Sequence, residues 1–177
     1  MGAPLNTRTI VLVGLMGAGK STIGRRLATA LAMPFADADA EVEAAAGRTV
    51  SDVFAAYGEQ AFRDGERRVI ARLLEGPPHV LATGGGAFVD PATRALINAK
   101  AISVWLKADV EVLARRVARR DTRPLLKGKD PLEVLKAHAA ARYPCYAQAQ
   151  IVIETGDAAH QGAVDAIITA LGERARA

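Results

Sequence analysis

The sequence predicts an α/β protein in which a parallel sheet lies between helices. Three observations carry that prediction. Five short apolar runs, at residues 9–13, 34–36, 80–82, 102–106 and 151–153, alternate with helical patterns, as a doubly wound sheet requires. The first run feeds directly into Gly-Leu-Met-Gly-Ala-Gly-Lys-Ser, residues 14–21, and then an amphipathic segment. Half of the 177 residues are apolar and only 5% are aromatic, so the core is built from Ala, Val, Leu and Ile. That length suits one domain, residues 1–177.

The run Ile10-Val11-Leu12-Val13 reads as a buried strand, and the eight residues after it match G-x-x-x-x-G-K-[ST]. The strand–loop–helix context is what phosphate binding needs, because free N–H groups of a helix's first turn then point at an anion. The backbone amides of Gly17, Ala18, Gly19, Lys20, Ser21 and Thr22 would surround the phosphates of a nucleoside triphosphate. Lys20 would reach the β- and γ-phosphates, and Ser21 would ligate Mg²⁺. The glycine spacing does not fit a dinucleotide fingerprint.

The second run ends in Phe35-Ala36-Asp37-Ala38-Asp39. If extended geometry persists, Asp37 and Asp39 face the same side at the carboxyl edge of the sheet, where ligands of open α/β sheets bind. One acid can then hold Mg²⁺ and the other can meet a phosphoryl acceptor. The same position also suits helix N-capping acids. Residues 41–46, 50–57 and 59–74 then read as helices broken by Gly47 and Gly58, an insertion beside the sheet. Within it Arg63 and Glu66 stand three apart on one helix face. That is the spacing of a solvated ion pair, and equally of an arginine held in place for an anionic substrate.

The third run is followed by Thr83-Gly84-Gly85-Gly86, which suits a backbone that a ligand approaches closely. After the fourth run, Val110, Leu113 and Val117 share one helical face, and Arg115, Arg116, Arg119, Arg120 and Arg123 lead into Pro124. Some of these arginines are those of a solvated helix. A positive cluster ending in an irregular stretch, 119–130, also suits a lid that closes over a γ-phosphate. Arg142, in Ala-Arg-Tyr-Pro, is a second candidate anion clamp. Val164, Ile167, Ile168 and Leu171 give the last helix its apolar face.

The formal charge is +4 and the isoelectric point is near 9.5, but basic and acidic residues are interleaved. A site for phosphates and a carboxylate accounts for the excess better than nucleic acid does. Cys145 is the only cysteine, so no intramolecular disulfide is possible, and it reads as a packing residue. No apolar run approaches the roughly 20 residues that span a bilayer. The expectation is a cytoplasmic protein without a nucleic-acid or membrane partner.

Taken together, GLMGAGKSTIGRRLA, FADADAEVE, GEQAFRDGE, ATGGG, RPLL and RYPCYAQA resemble the shikimate kinase family over nearly the whole chain. The resemblance implies a nucleoside-monophosphate-kinase-like P-loop fold with a five-stranded parallel sheet in the order 2-3-1-4-5. It implies transfer of the ATP γ-phosphoryl group to the 3-hydroxyl of shikimate by a monomer that uses Mg²⁺. By motif position, Lys20 and Ser21 resemble the phosphate-binding lysine and metal ligand. Asp37 resembles the acid near the metal, and Asp39 the acid at the acceptor hydroxyls. Arg63 and Arg142 resemble the arginines for the shikimate carboxylate, and Gly84, Gly85 and Gly86 the backbone against its ring. Arg123 resembles the lid arginine and Arg116 the residue flanking adenine. The acceptor region would span about 38–66 and the lid about 119–130. Residues 154–157 depart from the pattern, lacking an arginine for the adenine. A gluconate kinase, with the same fold and another carboxylate-bearing acceptor, and a non-catalytic nucleotide-binding domain are the competing readings.

Overall fold

The computed structural model describes residues 4–119, 129–156 and 160–177. Strand β1 (Ile10–Val13) is wholly buried, because β3 (Val80–Ala82) pairs with it on one side and β4 (Ile102–Lys107) on the other. Strands β2 (Phe35–Asp37) and β5 (Ile151–Glu154) complete a parallel sheet in the order β2-β3-β1-β4-β5. This is the predicted order. The two outer strands are not the buried strands that their apolar letters suggest. β2 is half-buried throughout, and β5 alternates, with Val152 and Glu154 exposed. Edge position explains this, since an outer strand has a neighbour on one side only.

Helix α1 (Lys20–Ala30) follows the phosphate loop and buries Ile23, Gly24, Leu27 and Ala28. At Gly24 a Cβ would lie 2.7 Å from the Phe35 ring, so this glycine is what lets the helix lie close to β2. Helix α2 (Ala38–Ala46) begins one residue after β2 ends, and Gly47 caps its C-terminus. Helix α3 (Val50–Glu75) follows, kinked at Gly58, where φ 85° and ψ 171° leave the helical region. Val42, Val53, Phe62 and Val69 form a small apolar cluster between α2 and α3, apart from the main core. The inserted helical region is therefore built on its own packing.

Of the remaining helices, α4 (Pro91–Lys100) packs on α3, α5 (Val110–Ala118) on α6 (Pro131–Tyr146), and α7 (His160–Arg176) on α1. The predicted apolar faces are the buried ones: Leu113 and Val117 on α5, and Val164, Ile167 and Leu171 on α7. Asp90 caps α4, its carboxylate accepting from the Thr93 backbone and hydroxyl, and it also pairs with Arg67 at 3.0 Å. That joint ties α3 to the sheet side of the molecule. Arg123 and most of the 119–130 stretch lie outside the described residues.

Candidate active site

The phosphate loop closes on itself. Gly17 and Gly19 take φ of 83° and 89°, values that favour glycine, and Gly19 thereby caps α1 with left-handed backbone. Ala18 is fully buried beneath the loop. The Lys20 ammonium folds back over it and donates to the carbonyls of Gly14 at 2.7 Å and Leu15 at 3.0 Å. Lys20, Ser21, Thr22, Gly17 and Gly19 all line a cleft of about 350 Å³, with Asp37, Asp39, Thr83, Gly84 and Gly85 on its other wall.

Asp37 caps α2 and also faces Ser21. Oδ1 accepts from the backbone N–H groups of Asp39 and Ala40, capping α2, while Oδ2 accepts from the Ser21 hydroxyl at 2.9 Å. Extended geometry does not persist from Asp37 to Asp39, because α2 starts at Ala38. Asp39 reaches the cleft from the first turn of the helix instead. A hydroxyl and a carboxylate oxygen held together at the foot of a phosphate loop are hard oxygen donors of the kind Mg²⁺ takes alongside phosphates and water.

The glycine triplet has a definite geometric reason. A Cβ on Gly84 would lie 2.9 Å from Asp39 Oδ1. On Gly85 it would lie 2.8 Å from Arg142 Nη1, and on Gly86 only 2.2 Å from Arg63 Nη2. Close approach of a ligand was the expectation. What the turn admits here is three side chains from three other helical positions, brought to consecutive points of one turn. Arg63 is held from behind by Glu66, 2.9 Å from Nη1, in an ion pair whose carboxylate is only 2% exposed. Burial raises the Glu66 pKa, and the charge of Arg63 beside it works in the opposite direction.

On the nucleotide side, the Arg116 guanidinium donates to the Gly17 carbonyl at 3.1 Å and to that of Gly156. It joins the phosphate loop to the turn after β5. The 154–157 stretch, which departs from the family pattern, is thus tied at Gly156 to Arg116, with Asp157 beyond the described residues. Two site residues escaped the sequence reading. His160, the first residue of α7, brings its Cε1 within 2.9 Å of where a Gly19 Cβ would be, and it lines the cleft. Tyr146 donates its hydroxyl to the Gly85 carbonyl from the end of α6. His160 belongs to none of the quoted motifs, and Tyr146, though inside RYPCYAQA, carries no local sign that it meets the 84–86 turn.

A cleft that holds a polyphosphate cradle and an acid, bordered by a turn on which two arginines converge, is that of a P-loop kinase for a small acidic alcohol. Comparison with known proteins narrows the class. Residues 16–172 match the family model described as shikimate kinase. A shikimate kinase of Caulobacter vibrioides is 71% identical over 169 residues, 96% of this chain and 84% of that protein. The structure of shikimate kinase from Acinetobacter baumannii in complex with shikimate superposes with a TM-score of 0.89 at 37% identity, covering 94% of each chain. A gluconokinase from Sinorhizobium meliloti shares the fold, with a TM-score of 0.67 at 18% identity over 97% of this chain and 95% of the other. The chain belongs to the shikimate kinase family, and is an ATP-dependent kinase of that family.

Proposed function

We propose that this protein transfers the γ-phosphoryl group of ATP to the 3-hydroxyl of shikimate, in a site built from Lys20, Asp39, Arg63, Arg142 and the 84–86 turn. The observation that carries the reading is the alignment of Asp39, Arg142 and Arg63 against Gly84, Gly85 and Gly86 in turn, beside the phosphate loop. One acid and two guanidinium forks at that spacing suit an acceptor with a hydroxyl at one end and a carboxylate at the other. Arg63 and Arg142 take the carboxylate, which decides which hydroxyl approaches phosphorus. Asp39 accepts the hydrogen bond and then the proton of that hydroxyl as its oxygen bonds to phosphorus and the bond to the β-phosphate oxygen breaks. Lys20 leaves the loop carbonyls for the phosphates and balances the charge of the departing ADP.

Mg²⁺ belongs to this reading, with Ser21 and Asp37 as the residues that would hold it. Bound there it would neutralise phosphate charge. Arg123 is assigned to the lid that reaches ATP, and Arg116 to the adenine side, on family resemblance. The α2–α3 region is assigned to the acceptor, within a single kinase domain. A monomer is the proposed state: among the described residues the large exposed hydrophobic side chains are Tyr57 and Val152, which stand singly. None of the described helices is long and apolar enough to cross a membrane.

The test is ADP release from ATP and Mg²⁺ with shikimate, with gluconate and with no acceptor. Release that depends on shikimate is expected. Release driven by gluconate instead, or ATP binding without any acceptor-dependent release, would overturn the reading.

A further inference from the structure

The two carboxylate-seeking arginines are held in chemically different ways. Arg63 has an ionised partner behind it, whereas Arg142 has no carboxylate partner among the described residues. What stands behind Arg142 is Tyr146, one turn later on the same face of α6. Its ring is fully buried and packs on Trp105, with centroids 5.7 Å apart. Its hydroxyl donates to the Gly85 carbonyl, and the charge of the Arg142 guanidinium bears on the phenol oxygen. The point that a Gly85 Cβ would occupy lies 2.8 Å from Arg142 Nη1 and 3.9 Å from the Tyr146 hydroxyl. A phenol has one proton to donate and lone pairs besides, so the oxygen that donates to the turn can still present lone pairs to a guanidinium lying against the same turn.

We propose that Tyr146 is a positioning residue for the acceptor, setting Arg142 and the Gly85 backbone in a fixed relation so that the guanidinium faces the substrate carboxylate. The inference rests on the assignment of Arg142 as a carboxylate anchor. Tyr146 touches no substrate and acts through Arg142. Because the holder is a neutral phenol, Arg142 keeps its full charge for the ligand, while Glu66 already offsets part of the charge of Arg63. The pair therefore combines an arginine fixed mainly by an ion pair with one set beside a neutral phenol that holds the adjoining turn.

The experiment compares Tyr146→Phe, Arg142→Ala and the double variant, with shikimate and ATP each varied and melting temperatures measured. Phenylalanine keeps the ring that packs on Trp105 and removes only the hydroxyl. Tyr146→Phe is expected to raise the KM for shikimate about tenfold while the KM for ATP stays within about twofold. In the Arg142→Ala background the same substitution should add nothing to the shikimate KM. A purely structural tyrosine would raise both KM values, or lower only the melting temperature, and either result overturns the proposal. So does full additivity in the double variant, or an unchanged shikimate KM in Tyr146→Phe when Arg142→Ala raises it. If Arg142→Ala itself leaves shikimate binding unchanged, the anchor assignment fails first and the positioning role falls with it.

Discussion

Gly86→Ala separates the shape of the acceptor site from the stability of the fold. Gly86 has φ −95° and ψ −9°, a conformation alanine adopts freely, so the added methyl acts through contact alone. That methyl would stand 2.2 Å from Arg63 Nη2 and 2.5 Å from its Cζ. To reach ordinary contact at 3.4 Å, the nearest nitrogen must retreat by at least 1.2 Å. Leaving Glu66 altogether would strand a carboxylate that is 2% exposed, at about 3–5 kcal/mol for breaking a buried pair. The guanidinium is therefore expected to turn on its bond to Glu66, keeping the fold and losing its aim. A misplacement of about 1 Å costs on the order of 10²-fold in an oriented reaction, or about 2.7 kcal/mol. Steady-state kinetics coupled to ADP release should show kcat/KM for shikimate falling about 100-fold, with KM for ATP within about twofold. Gly65→Ala is the control on the same helix as Arg63, since its Cβ would meet nothing within 4 Å. It should leave the kinetics alone and raise stability by about 0.5–1 kcal/mol. A Gly86→Ala enzyme with kcat/KM for shikimate within about threefold of the parent would refute the geometry on which this rests.

Asp39→Asn should reduce shikimate-dependent ADP release at least about 10²-fold while ATP binding, followed by calorimetry, stays within about twofold; near-normal turnover would remove Asp39 from the chemistry. Asp37→Asn keeps a good N-cap for α2 but loses the charge beside Ser21, so the Mg²⁺ concentration for half-maximal activity should rise about tenfold with little change in melting temperature. An unchanged Mg²⁺ dependence would take Asp37 away from the metal. Burial pushes the Tyr146 phenol from 10.0 up to about 12. The unfolded chain then ionises this group first, so the stability it contributes is complete below pH 10 and is lost as pH rises through about 12. Between about pH 9 and pH 11.5, urea denaturation of the parent should lose about 2 kcal/mol more than that of Tyr146→Phe; equal losses would contradict the buried, protonated phenol.

The phosphate loop was legible because its chemistry is backbone chemistry, and glycine spacing after a β-branched run dictates that backbone. The pairing of Arg63 with Glu66 was legible for a similar reason, since helix periodicity alone sets them side by side. The 84–86 turn was legible only as a demand for space. Which groups take up that space depends on α2, α3 and α6 converging on one sheet edge, and no local pattern encodes that convergence. That Asp37 caps α2 was legible only as an option, because letters do not say that the helix starts with no intervening turn. The exposure of Val152 likewise follows from the place of β5 in the sheet order, which its own apolar letters do not record.

Lys20, folded onto the carbonyls of Gly14 and Leu15, has a consequence for how nucleotide enters. The loop's strongest cation is solvated by the loop itself, so arriving phosphate exchanges partners with it and does not meet a bare charge. Exchange of this kind lowers the gross gain from the contact. It also makes the site selective by competition: a weak anion cannot displace two well-placed carbonyls, whereas a polyphosphate can. The lysine that the phosphate chemistry calls on is thus held by peptide oxygens of its own loop.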